Sequence, residues 1–186
     1  MILASHNSWT YLPPKKWWMR LFNFVAKCQD KNIKQQYYNG IRMFDLRVRF
    51  DDYGYPIIAH GLAEYSNSGL TDDLIFLNKK DKDTIYVRII LETNKESYGD
   101  EVLFASYCAS LRNKYENIRF IGGNRKYDWE KVFDFDITEP AIKGVFSSVT
   151  DSKIDNVWPW FYAKRNNNKS LKDNENYNGY LMIDFI

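Results

Sequence analysis

Gly40-Ile41-Arg42-Met43-Phe44-Asp45-Leu46-Arg47-Val48-Arg49 is the stretch on which the reading of this chain turns. Its pattern predicts a β-strand over Ile41–Phe50, and successive side chains along a strand point to opposite faces. Ile41, Met43, Asp45 and Arg47 then share one face, apolar early and charged late. Such a gradient fits the inside of a barrel that opens into a polar mouth. Taken alone, Asp-x-Arg would by default be an exposed ion pair. The flanking sequence argues otherwise. Ser5-His6-Asn7-Ser8 follows the apolar Ile2-Leu3-Ala4, and Pro56-Ile57-Ile58-Ala59-His60-Gly61 ends a second apolar run. The two histidines of the chain therefore both stand at apolar strand ends, with the Asp45/Arg47 strand between them. Two imidazoles, a carboxylate and a guanidinium so placed can perform general acid–base chemistry on a phosphate.

Further candidate strands are Ile2–Ala4, Pro56–Ala59, Thr84–Leu91, Ile118–Ile121, Ile142–Ser147 and Tyr180–Ile186. Candidate helices are Pro14–Asp30, Asp72–Lys80, Ser97–Tyr115, Asp128–Phe133 and Ile154–Ala163, with Pro13-Pro14 as a start signal for the first. Thr84–Leu91 is apolar on both faces, as a buried parallel strand is. Arg165 to Gly179, rich in asparagine, reads as a surface loop. Alternating strands and helices define an α/β chain. His6, Asp45, Arg47, His60 and Glu92 fall at or near the ends of separate strands, and such ends converge in a barrel. A doubly wound sheet would carry a glycine-rich phosphate loop, for which Gly122-Gly123 is too little. The expectation is a TIM-like (β/α) barrel, short and irregular, with some helices or a strand reduced.

At 186 residues and 45% apolar composition, the chain suits one domain over 1–186 with a sizeable core. With 26 basic and 24 acidic residues it lacks the basic excess of a nucleic-acid binder, and no nucleic-acid partner is expected. Cys28 and Cys108 form no CxxC pair, and two reduced thiols are expected. The N-terminus carries no visible secretory leader, and no apolar run reaches the length of a membrane span. The reading is a monomer, cytoplasmic or, if a leader has been removed, secreted.

On these motifs, together with Val87-Arg88-Ile89-Ile90-Leu91-Glu92 and Leu181-Met182-Ile183-Asp184-Phe185, the chain resembles the phosphatidylinositol-specific phospholipase C family. The likeness is to its X-domain catalytic barrel, closer to the bacterial branch. The first three motifs are specific and cover the first third of the chain, whereas 96–178 adds little. The resemblance implies that His6 is the base deprotonating the inositol 2-hydroxyl and His60 the acid protonating the departing diacylglycerol oxygen. It implies that Asp184 orients His6, and that Asp45 and Arg47 are the acid–arginine pair holding the phosphate, with Asn7 and Glu92 also toward the substrate. A cyclic inositol phosphate is the implied product.

Asn7 departs from the bacterial pattern, which has an aspartate there. The animal branch has asparagine as a calcium ligand, and a calcium site here would use Asn7, Asp45 and Glu92. Arg47 takes the place of another calcium-binding carboxylate, so no metal cofactor is the favoured reading and Ca2+ the alternative. Lys15-Lys16-Trp17-Trp18-Met19-Arg20 makes Trp17 and Trp18 candidates for transient membrane contact. The implied partner is a phospholipid or a soluble phosphodiester. Two rival readings are a metal-dependent phosphodiesterase of the glycerophosphodiesterase or sphingomyelinase D kind, and a lipid-binding barrel without turnover.

Overall fold

Six parallel strands, Ile118–Asn124, Ile85–Leu91, Met43–Phe50, Ile2–Ser5, Tyr180–Ile183 and Ile142–Ser147 in spatial order, form a curled sheet, a barrel in reduced form. The structure is a computed structural model that describes residues 1–92, 98–124, 131–132, 142–148 and 158–186. Its strands are β1 (Ile2–Ser5), β2 (Met43–Phe50), β3 (Pro56–His60), β4 (Ala63–Tyr65), β5 (Ile85–Leu91), β6 (Ile118–Asn124), β7 (Lys131–Val132), β8 (Ile142–Ser147) and β9 (Tyr180–Ile183). The helices are α1 (Met19–Ala26), α2 (Ile33–Tyr38), α3 (Leu70–Asn78), α4 (Tyr98–Lys114) and α5 (Pro159–Asp173). No helix among the described residues is long and apolar enough to cross a membrane.

β2 organises the sheet. One edge pairs with β5 along Met43–Val48; the other holds β1 at Met43 and Phe44, then antiparallel β3 from Val48 to Phe50. Its alternation is as read from the sequence. Phe44, Leu46 and Val48 join Val87, Ile89 and Leu91 of β5 in the layer covered by Leu74 and Leu77 of α3 and by Phe104, Cys108 and Leu111 of α4. Met43 faces the other way, packing with Ala4, Ile121, Tyr180 and Met182 inside the barrel. Burial on this scale, at about 25 cal/mol per Å² of apolar surface, holds the sheet and helices together.

The inner face is built in layers. Ala4 is level with Met43 and Met182, and Phe146 with Met182, so these four apolar side chains lie beneath the mouth. One inward position later come His6, Asp45, Ser148 and Asp184, and Asp45 is level with Arg88. The apolar floor is tight. A Cβ on Gly144 would stand 2.2 Å from the Tyr180 ring, so only glycine leaves room there.

Several boundaries differ from expectation. α1 starts at Met19 rather than Pro14, because Pro13–Lys15 runs along β4: Ser66 N–H donates to the Pro13 carbonyl and Lys15 N–H to that of Glu64. The predicted first helix ends at Ala26 and a separate α2 follows. Asn32 caps it, accepting from Gln35 N–H while the Gln35 side chain accepts from Asn32 N–H. The expected loop at 165–179 is mostly α5. Asn166 and Asn174 donate to the carbonyls of Tyr162 and Ser170, four residues back, and Pro159 starts the helix at its first turn. Within the expected helix Asp128–Phe133, Lys131–Val132 is a strand paired with β8; its other residues, and 154–157 of the expected last helix, lie outside the described residues. The final strand ends at Ile183, one residue before Asp184.

Candidate active site

His6 stands just past β1, where its N–H still bonds the Ile183 carbonyl of β9. This ladder contact brings the ring beside Asp184, whose carboxylate accepts from Nδ1 at 2.7 Å. The other Asp184 oxygen accepts from Ser148 Oγ at 2.6 Å, and Asn167 of α5 donates to the Asp184 carbonyl at 2.7 Å. With Nδ1 directed at Asp184, His6 turns its other ring nitrogen, Nε2, to the rest of the site. That atom receives the Arg47 guanidinium at 2.7 Å and faces the Asn7 side-chain amide at 2.8 Å. Asn7 has φ 46°, a left-handed conformation that asparagine tolerates better than most residues.

Arg47 joins the parts. Its Nε donates to Asp45 Oδ2 at 3.0 Å and its Nη1 to Glu92 Oε2 at 3.4 Å. Asp45 also accepts from Asn7 N–H at 3.1 Å and from Arg88 Nη1 at 3.4 Å. Burial pushes the Asp45 carboxyl up, but Arg47, Arg88, His6 and the Asn7 N–H outweigh it and bring its pKa down to about 2. Burial alone would pull the Arg47 guanidinium down; Asp45 and Glu92 more than compensate, and its pKa is raised. Asp45 is thus a fixed anion and Arg47 a fixed cation at any physiological pH.

His60, at the end of β3, lies across the mouth with its ring centroid 5.6 Å from that of His6. Its Nδ1–H donates to the Ala26 carbonyl at 2.7 Å, at the C-terminal end of α1, which leaves Nε2 for a ligand. As a residue His60 is only partly buried. Burial of its ring lowers its pKa to about 4, with Arg47 and His6 adding to the effect, so His60 is neutral at pH 7 in the free protein. Between the imidazoles sits Cys28, a free, buried thiol with Sγ 3.8 Å from His60 Nδ1. Burial holds its pKa well above the usual thiol value, so it remains protonated.

Residues expected from sequence thus meet in one place: His6, Asn7, Asp45, Arg47, Glu92 and Asp184 are linked by hydrogen bonds, and His60 faces them. Trp17 and Trp18 do not enter this network. They precede α1 on the rim, where Trp17 is 74% exposed and Trp18 borders an apolar hollow beside His60. Arg88, Ser148 and Asn167 were not singled out from sequence. Strand parity places Arg88 on the inner face with Glu92, a signal present in the motif itself; Ser148 and Asn167 carry no sequence mark.

The carboxylates do not fit a calcium ion. Asp45 is already shared by two guanidiniums, one Glu92 oxygen accepts from Arg47 and the other from Gly61 N–H. Arg47 lies among the three residues that would supply the ligands, where a divalent cation would meet a charge that cannot be removed.

A polar cluster at the open end of a reduced parallel barrel defines a class of fold, and solved structures place it. A phosphatidylinositol-specific phospholipase C from Listeria monocytogenes superposes with TM-score 0.65 at 19% identity, over 99% of this chain and 87% of that one. Two structures of the Staphylococcus aureus enzyme give TM-scores of 0.69 and 0.68 at 16% and 15% identity, over 99% of this chain and 85% and 84% of theirs. The chain has the phosphatidylinositol-specific phospholipase C fold. No protein-family model matches the sequence, and no curated protein matches it.

Proposed function

We propose that the protein is a phosphodiesterase that cleaves phosphatidylinositol, or a related phosphodiester with a neighbouring hydroxyl, by metal-independent general acid–base catalysis. The observation that carries this reading is the Asp184–His6 pair, 2.7 Å apart, with His6 Nε2 accepting from Arg47 at 2.7 Å and the second histidine ring 5.6 Å away between centroids. The likeness to bacterial phospholipase C structures supports a lipid substrate, and one Staphylococcus structure concerns membrane binding by that enzyme.

In the reaction, His6 Nε2 takes the proton of the adjacent hydroxyl and the oxygen attacks phosphorus. The bond from phosphorus to the leaving oxygen breaks as His60 Nε2–H delivers a proton to it, and a cyclic phosphodiester results. Arg47 turns from His6 to the phosphate oxygens, where its planar fork meets the growing charge. Asp45, itself paired with Arg88, and Glu92 hold Arg47 for that task, and Asp184 stabilises the imidazolium that forms on His6. His60 must be charged to act, and the incoming phosphate, an anion beside it, raises its pKa from about 4 toward neutrality.

Phosphorus NMR of the protein with phosphatidylinositol, with and without EDTA, tests this. A cyclic phosphodiester signal should appear equally in both and be lost in His6→Ala and His60→Ala. Loss of turnover on EDTA with recovery in magnesium would instead select the metal-dependent phosphodiesterase reading.

A further inference from the structure

His6 and His60 stand at the ends of β1 and β3, which occupy separate lengths of one edge of β2, at Met43–Phe44 and at Val48–Phe50. The short segment from Ala26 to Gln29, where α1 ends, spans the gap between them. The Ala26 carbonyl accepts from His60 Nδ1 at 2.7 Å. The Cys28 carbonyl accepts from Phe185 N–H at 2.8 Å, just beyond Asp184. The N–H groups of Cys28 and Gln29 both donate to Thr10 Oγ1 at 3.0 Å, and that hydroxyl donates to the Asn7 carbonyl at 2.9 Å. One short stretch of chain therefore touches His60 at one end and the neighbours of His6 and Asp184 at the other.

The side chain of Gln29 completes this frame. It is fully buried. Its Nε2 donates to the His6 carbonyl at 3.2 Å and to the Ile183 carbonyl at 3.0 Å, and its Oε1 accepts from Ile186 N–H at 3.3 Å. The paired register of β1 and β9 ends at Ser5 and Ile183, followed by one bond from His6 N–H to the Ile183 carbonyl. The two donors of the Gln29 amide then supply a further rung, made by a side chain, between the backbones that carry His6 and Asp184. On the reaction proposed above, His6 takes a proton and His60 gives one, so the rate depends on where both rings stand. An error of about 1 Å can cost on the order of 10²-fold. We infer that Gln29 is a positioning residue for catalysis: through the His6 and Ile183 carbonyls it seats the His6–Asp184 pair, and through its own chain it sets that pair's distance from His60.

A glutamine that served stability alone would lower the folded fraction and leave the rate of each folded molecule as it was. Gln29→Met keeps the length of the side chain and removes both donors. Per folded molecule, kcat on a soluble inositol phosphodiester should fall about 10- to 100-fold with KM within about twofold, since a fully buried Gln29 meets no substrate. Nitrogen-15 spectra of histidine-labelled protein give a second reading that needs no turnover. The His6 ring signals, identified by their absence in His6→Ala, should shift or broaden in Gln29→Met. Thr10→Val frees the same segment from the loop after His6 and should show both changes, and Thr10→Ser, which keeps the hydroxyl, should restore the parent's values. An unchanged kcat per folded molecule would overturn the inference, as would a fallen kcat with the His6 signals in place. If Gln29→Met does not fold, the two Thr10 variants decide by the same measures. Shifted His6 signals in a protein that turns over no phosphodiester would sustain the positioning role and sink the assigned reaction.

Discussion

Arg47 reaches Asp45, Glu92 and His6 through three different nitrogens. A lysine has one charged nitrogen and cannot hold all three. Arg47→Lys is expected to lower kcat by about 10²-fold, as loss of a transition-state anion donor does, with a smaller effect on KM. Asp184→Asn addresses a different property. An asparagine amide donating to Nδ1 would move the proton of His6 to Nε2, so the lone pair needed for proton abstraction disappears while the ring stays in place. On the order of 10³- to 10⁴-fold loss in kcat is expected, the size seen where a base histidine is held in the wrong tautomer. Steady-state kinetics on a soluble inositol phosphodiester checks both, and an Asp184→Asn variant within tenfold of the parent would remove Asp184 from the proposed mechanism. At this level the chain was open to reading where polar residues interrupt an apolar alternation, as at His6, Asp45 and Arg47. Arg88 was harder to see because it lies mid-strand in an apolar run, although it shares the face of Glu92, and its register opposite Asp45 places it beside the mouth.

The strands were legible for a simple reason: alternation along β2 has a period of two, and a slip by one residue would turn Asp45 and Arg47 into the helix layer. Helices were harder. Asn166 to Asn168 has poor intrinsic helix preference, yet α5 forms because its apolar turn packs on the sheet and its asparagines find carbonyls, a tertiary result that local propensity cannot carry. Asn167 shows what that helix does for the site. Its amide bonds the carbonyls of Asp184 and Phe185, and so fixes the backbone just beyond β9 where the carboxylate must point at His6. Asn167→Ala is expected to cost about 1–2 kcal/mol of stability by urea denaturation and to reduce kcat at constant protein fold. An unchanged kcat with the stability loss would assign the residue to packing alone. α2 shows the opposite case, since its Asn32/Gln35 capping box is a local signal carried by the sequence itself.

For the molecule as a whole, two buried groups set how stability responds to acid. His60 has its pKa lowered to about 4 from about 6.5, so below pH 6.5 the unfolded chain binds a proton that the folded chain refuses. Stability should therefore fall as pH drops from 6.5 to 4. Asp45, lowered to about 2, contributes stability that is complete above about 4 and lost as pH falls from there toward 2. Urea midpoints across pH 7 to 3 should show the first decline in the parent and a shallower one in His60→Asn, which carries no titrating ring. An equal slope in both would separate His60 from the effect. A ligand experiment reads the same group in the other direction: inositol phosphate binding at pH 5.5 should take up a proton, visible as a dependence of calorimetric heat on the buffer's ionisation enthalpy.

The apolar floor has one more consequence. The ring of Tyr180 fills the space that Gly144 leaves, and Ala4, Met43 and Met182 close the layer below His6 and Asp45. Among the described residues, the mouth is therefore closed from below. With the floor closed, a cyclic product of the proposed reaction that stayed in the mouth would bar the next substrate. Such a product would act as a competitive inhibitor, and its escape, rather than the chemistry at phosphorus, would come to govern turnover as it accumulates.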